Sequence, residues 1–175
     1  MSGLIEKALL TEEQIQTRVK ELAEEIERDF NGEDVLLVGI LKGAVVFVSD
    51  LMRNMKINVS IDFMAVSSYG NSTTSSGVVK LIKDLDTDIK NKNVIIVEDI
   101  IDSGLTLNYL QKNLRDRSPK ALKICTLLDK PERRKCDIPV DYCGFEIPDK
   151  FIVGYGIDYA EKYRQLPYIG IVETK

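Results

Sequence analysis

Three carboxylates, Glu98, Asp99 and Asp102, fall within five residues of VIIVEDIIDSGLT (94–106) and are followed at once by Ser103, Gly104, Leu105 and Thr106. The β-branched run Val94–Val97 reads as a short buried strand, and Leu105 onward reads as a helix. Desolvating a lone carboxylate costs several kcal/mol or forces it to take up a proton. Glu98 and Asp99 are therefore expected at the strand's carboxyl end, facing a metal, a hydroxyl-rich ligand or water. The Ser-Gly-Leu-Thr turn offers backbone N–H groups and two hydroxyls at a helix N-terminus, a cradle for one phosphate. Acids for sugar hydroxyls and Mg²⁺ beside a phosphate cradle describe a site for a phosphorylated ribose. No G-x-x-x-x-G-K-[ST] loop occurs anywhere, so the phosphate is not held by that motif.

Composition removes other chemistries. The chain has no histidine, which excludes Ser-His-Asp and Cys-His catalysis and the usual His-type zinc sites. A general base must then be a carboxylate, Tyr, Lys or Cys. With 24 basic and 28 acidic residues the net charge is −4, and no long basic stripe is present, which argues against nucleic-acid binding. No apolar run approaches the roughly 20 residues of a membrane span, and MSGLIEKALLTEEQ lacks the pattern of a secretory leader. Cys125, Cys136 and Cys143 are odd in number and form no C-x-x-C pair, which suits reduced thiols in a cytoplasm.

The elements that must position these residues alternate. Thr11-Glu12-Glu13-Gln14 fits a capping box, and Ile15, Val19, Leu22, Ala23, Ile26 and Phe30 follow at helical spacing up to the Asn31-Gly32 stop. Val35–Ile40 is a buried strand, 44–55 a helix, and 57–66 a strand in which Ile57, Val59, Ile61, Phe63 and Ala65 alternate with polar residues. The stretch SSYGNSTTSSG (67–77) is too polar to offset its ordering entropy, and reads as either a mobile lid carrying Tyr69 or a passive hairpin linker. Strands over 78–83 and 122–128 flank the motif and its helix, Leu105–Arg115. The last third has short apolar pieces broken by Pro139, Pro148 and Pro167. Strand–helix alternation implies an α/β fold with a mainly parallel sheet and ligands beyond the strands' carboxyl ends. A chain of 175 residues, 44% hydrophobic, with no linker, fits one domain (1–175).

Further polar and aromatic residues fall at strand ends. Lys42-Gly43 follows the Val35–Ile40 strand, a turn that is structural or anion-binding. Lys130 follows the 122–128 strand and, by position alone, reads as one of a basic surface cluster with Arg133 and Arg134. Phe151 is a platform for a π-face or plain core, and Arg164 is a forked donor suited to phosphate oxygens.

The 94–106 stretch closely resembles the phosphoribosyl-pyrophosphate signature of the type I phosphoribosyltransferases. FEIPDKFIVGYGIDYAEKYRQLPYIG (145–170) is similar to the C-terminal hood of the hypoxanthine-guanine phosphoribosyltransferases. The resemblance spans roughly residues 10–172. It implies that family's fold: a central mainly parallel sheet flanked by helices (about 10–135) with a small C-terminal hood (about 136–175). It implies that Glu98, Asp99, Asp102, Ser103, Gly104, Leu105 and Thr106 bind the phosphoribosyl group and that Asp102 is catalytic. Lys42, Gly43 and Arg164 would bind pyrophosphate, and the Leu41–Lys42 peptide would be cis. Lys130 would meet the purine's exocyclic oxygen, Phe151 would stack on the ring, the Ile152 backbone would read its polar edge, and Asp158 would lie near the base. Ser68 and Tyr69 would belong to a lid. Metal ligation falls to Glu98, Asp99 and Asp158. Ser103 stands where members often carry Thr, and Leu105 where some carry Lys; hydroxyl and backbone donors survive both changes.

The activity so implied is transfer of a phosphoribosyl group from phosphoribosyl pyrophosphate to N9 of hypoxanthine or guanine, with Mg²⁺, giving IMP or GMP and pyrophosphate in purine salvage. A cytoplasmic homo-oligomer, dimer or tetramer, is implied with it, without nucleic-acid or membrane partners. Two alternatives stand beside this reading. One is a phosphoribosyl-pyrophosphate-sensing regulator, which would need a nucleic-acid-binding face. The other is a same-fold transferase for xanthine, adenine, orotate or uracil.

Overall fold

The computed structural model describes residues 5–68 and 79–173; the Tyr69 position and the rest of the proposed lid up to Gly77 lie outside the described residues, as does the side chain of Ser68. Thr11 caps α1 (Glu12–Phe30) through a capping box with Gln14, and its buried face is the stripe Ile15, Val19, Leu22, Ala23, Ile26 and Phe30. Asn31 closes the helix in the left-handed conformation (φ 50°). Then come β2 (Val35–Ile40), α2 (Val45–Asn54), β3 (Val59–Ser68), β4 (Val79–Lys83), β5 (Asn93–Ile101), α3 (Leu105–Arg115), β6 (Ala121–Asp129) and β7 (Tyr142–Glu146). They build a six-stranded sheet in the order β4-β3-β2-β5-β6-β7. All of its pairings are parallel except β3 with the edge strand β4.

That order contains the feature that creates a site. From β2 the chain moves outward to β3, and from β5 it moves the other way to β6 and β7. The loops leaving the carboxyl ends of β2 and β5 therefore diverge, and a crevice opens between them. Both faces of the sheet are covered. Ile95 and Val97 pack with α1 and α2, whereas Val94 and Ile96 pack with Leu107, Leu110 and Leu114 of α3.

The expected division near residue 136 is crossed in both directions. β7 pairs with β6 in the large sheet, while β1 (Ile5–Leu10), from the other end of the chain, joins β9 (Ile169–Val172) and β8 (Ile152–Val153) in a second, antiparallel sheet. β1 was not anticipated.

Two further expectations are corrected. β5 does not stop at the carboxylates but runs on to Ile101, because β6 continues alongside it, pairing Glu98 with Thr126, Ile100 with Leu128 and Ile101 with Asp129. Glu98 is consequently buried within the strand, at 8% exposure. β3 runs from Val59 to Ser68 rather than over 57–66, and of its alternating apolar residues Val59 and Phe63 pack against the core. Ile61 is exposed, while Asp62 and Met64 are buried. Asp62 tolerates burial because it accepts backbone N–H bonds from Phe63, Asp86 and Thr87.

Candidate active site

The crevice between β2 and β5 collects residues from five separated segments. Glu98 and Asp99 lie along its floor. Burial, and then the neighbouring Asp99, hold the Glu98 carboxyl well above its ordinary range. Asp99 is pushed up to about 6, mainly by burial and also by Asp102; the Ile100 N–H and Arg164 pull the other way. Two adjacent acids that resist ionisation fit a divalent cation, which would compensate both, and their hard oxygens suit Mg²⁺. Among the described residues no three His, Cys, Asp or Glu side chains come together as a metal cage. A cation bound at these acids would therefore need substrate oxygens or water to complete its shell.

The chain leaving β2 forms one wall. Its Leu41–Lys42 peptide is cis. Gly43 is required here because the Asp99 carboxylate lies where its Cβ would be, and the Gly43 carbonyl in turn occupies the Cβ position of Gly156. Gly156 has φ +95°, a conformation that L side chains rarely adopt. One stack of close backbone contacts therefore joins β5, the Lys42-Gly43 turn and the 154–166 segment.

Arg164 is held over this stack. Its guanidinium donates to the Gly156 carbonyl (2.7 Å) and pairs with Asp158 (3.4 Å) and Glu161 (3.3 Å). Glu161 also pairs with the Lys42 ammonium (3.1 Å), so one carboxylate spans two cations that are 122 residues apart in the chain. Glu161 was not anticipated; its signal was its place beside Asp158 and Arg164 in DYAEKYR. The Nε of Arg164 is buried without a partner.

At the other end of the crevice, α3 begins without a side-chain cap. Gly104 occupies its N-cap with φ 81°, and Leu105 N–H donates to Ser103 Oγ (3.3 Å). The first-turn N–H groups of a helix have no intrahelical acceptors, and the helix dipole adds to their attraction for an anion. The loop is backed by Lys135 N–H, which donates to the Ser103 carbonyl (2.9 Å), and by Arg134 and Ile138 against Gly104.

Lys130 follows β6 directly. It is not a surface residue: it is only 6% exposed, and its backbone N–H donates to the Ile101 carbonyl (3.0 Å). Its ammonium lies 3.7 Å from Asp102 and 3.7 Å from Asp149. Phe151 is 43% exposed, so it is not core; Tyr159 meets its ring edge-on with centroids 5.4 Å apart. Ile152 is buried at the start of β8 and pairs with Ile171. Neither Asp149 nor Tyr159 was singled out from the sequence, where both read as ordinary polar neighbours of Phe151 and Asp158.

A crevice at the switch point of a parallel sheet, with paired acids and an open helix N-terminus, is the arrangement of a phosphoribosyltransferase, and the chain belongs to that family: the phosphoribosyl transferase domain matches residues 6–160. The hypoxanthine-guanine phosphoribosyltransferase of Bacillus subtilis (strain 168) is 56% identical over 169 residues, covering 97% of this chain and 94% of that protein. The hypoxanthine phosphoribosyltransferase of Buchnera aphidicola subsp. Schizaphis graminum is 55% identical over 171 residues, 97% of each chain. The crystal structure of a hypoxanthine-guanine phosphoribosyltransferase from Bacillus anthracis superposes with a TM-score of 0.93 at 60% identity, covering 97% of this chain and 99% of that one.

Proposed function

We propose that the protein is a purine-salvage enzyme that transfers the phosphoribosyl group of phosphoribosyl pyrophosphate to N9 of hypoxanthine or guanine, releasing pyrophosphate. The observation that carries this reading is the buried Lys130 ammonium, 3.7 Å from Asp102 at the turn into α3 and 3.7 Å from Asp149, two residues before the exposed Phe151. An ammonium donates to a purine's 6-oxo group but finds no acceptor in adenine's 6-amino group. A regulator that only senses phosphoribosyl pyrophosphate has no need of such a donor.

In this reading Ser103, Gly104, Leu105 and Thr106 hold the 5′-phosphate, and Glu98 and Asp99 face the ribose hydroxyls. Lys42, Gly43 and Arg164 receive pyrophosphate, which displaces the Glu161 carboxylate from the two cations it spans. That exchange is easy, since exposed ion pairs contribute only about 0–1 kcal/mol each. Phe151 stacks on the base, and the Ile152 backbone reads its edge. The N9 lone pair forms the bond to C1′ while the C1′–O bond breaks, with its electrons leaving on pyrophosphate. The proton on N7 passes to Asp102. A Mg²⁺ ion would be held by Glu98, Asp99 and Asp158, and would neutralise charge on the leaving pyrophosphate. Water is a competing nucleophile, so the reaction needs a closed site. All of this takes place in one transferase domain (1–175), which we place in the cytoplasm as a homo-oligomer. Among the described residues no helix is long and apolar enough to cross a membrane, and the three cysteines are unpaired.

Ligand-dependent melting tests the metal's part. Phosphoribosyl pyrophosphate with Mg²⁺ raises the melting temperature by mass action on the folded state. With chelator in place of Mg²⁺ the shift shrinks sharply, since the polyanion then faces Glu98 and Asp99 uncompensated. An equal shift in chelator contradicts the metal's role.

A further inference from the structure

Lys130 has two acidic neighbours, and only one of them, Asp102, has a part in the reaction proposed above. The other, Asp149, comes from the loop between β7 and β8, two residues before Phe151. Its Oδ1 stands 3.7 Å from the Lys130 ammonium, the same distance as Asp102 Oδ1. Both exceed hydrogen-bond reach, so the three N–H donors of Lys130 remain uncommitted to either acid. Asp149 is itself held by Arg133 (3.3 Å), in the short 3-10 turn Pro131–Arg133 that follows Lys130.

We propose that Asp149 is a positioning residue for base recognition: it balances the pull of Asp102 and holds the Lys130 ammonium between the two acids, free to donate to the purine's 6-oxo group. The physical reason lies in what a single acid would do. With Asp102 as its only neighbour, the ammonium would close to hydrogen-bond distance on that carboxylate. The donor aimed at the base would then be lost. A second carboxylate at the same distance competes for the ammonium and opposes that collapse without removing the charge. Because Asp149 and Phe151 share one loop, the seating of the aromatic platform and the aim of the ammonium are set by the same stretch of backbone.

The inference rests on the proposed transfer to 6-oxopurines, and the test separates the two. In Asp149→Asn the KM for hypoxanthine rises about 5–30-fold, less than the ~10–100-fold loss in efficiency expected when the Lys130 donor itself is removed. The Kd for phosphoribosyl pyrophosphate with Mg²⁺ stays within about twofold, and preference for hypoxanthine over adenine narrows. Since Asp149 acts through Lys130, adding Asp149→Asn to Lys130→Met costs nothing further; additive losses are the mark of independent residues. A wild-type KM for hypoxanthine in Asp149→Asn, multiplied losses in the double variant, or equal damage to phosphoribosyl-pyrophosphate binding each overturn the assignment. A wild-type protein inactive on hypoxanthine removes the proposed function and this inference with it. An active wild type with an unaffected Asp149→Asn removes only this one.

Discussion

Asp102→Asn slows nucleotide synthesis about 10²–10⁴-fold, the range expected when a general acid–base is lost, while phosphoribosyl pyrophosphate still binds nearly normally. Asparagine keeps the size and one acceptor oxygen of the side chain but cannot take a proton. No histidine exists in the chain to take its place. Asp102 is half exposed and stands at the turn from β5 to α3, with the ammonium of Lys130, the proposed donor to the base, 3.7 Å away. The variant leaves Lys130 with Asp149 as a counter-charge, and the fold should not suffer. Pyrophosphorolysis of the nucleotide slows as well, because the same group must then return the proton to N7. Steady-state rates in both directions check this. Wild-type-like rates both ways would leave the proton to solvent and end the assignment.

Lys130→Met lowers catalytic efficiency with oxopurines about 10–100-fold, since a hydrogen bond to a charged group is worth about 1.5–3 kcal/mol. Binding of phosphoribosyl pyrophosphate is spared. The Met side chain occupies much the same space as the lysine stem, so the buried packing beside β6 survives. Titration of each substrate separately decides the point. Equal losses for both would mean that Lys130 holds the loop after β6 rather than the base.

The parts of this site differed in how plainly the sequence announced them. The β5–α3 motif could be read directly, because each residue type there has a local physical reason, and α3 spans Leu105–Arg115 as its periodicity requires. The capping box and buried stripe of α1 were equally local signals. What escaped depends on partners distant in the chain. β1 carries a mixed pattern, Ile-Glu-Lys-Ala-Leu-Leu, and becomes a strand only by pairing, with two register shifts, to β9 at the opposite terminus. Glu98 reads as a strand terminator until β6 is seen to extend beside it. Asp62 reads as solvent-facing until the 86–87 turn brings it backbone donors. Within the site, Asp149 and Glu161 look like surface charge in a polar loop. Their meaning comes from Lys130, and from Lys42 with Arg164, which only the fold sets beside them.

Transfer measured with hypoxanthine, guanine, xanthine and adenine side by side, with phosphoribosyl pyrophosphate and Mg²⁺ held constant, bears most directly on the whole account. Pyrophosphate release and nucleoside monophosphate formation, in equal amounts, should appear with hypoxanthine or guanine and be far slower with adenine, which offers Lys130 no acceptor. Adenine used as fast as the oxopurines, or phosphoribosyl pyrophosphate bound with no transfer to any of these bases, would contradict it.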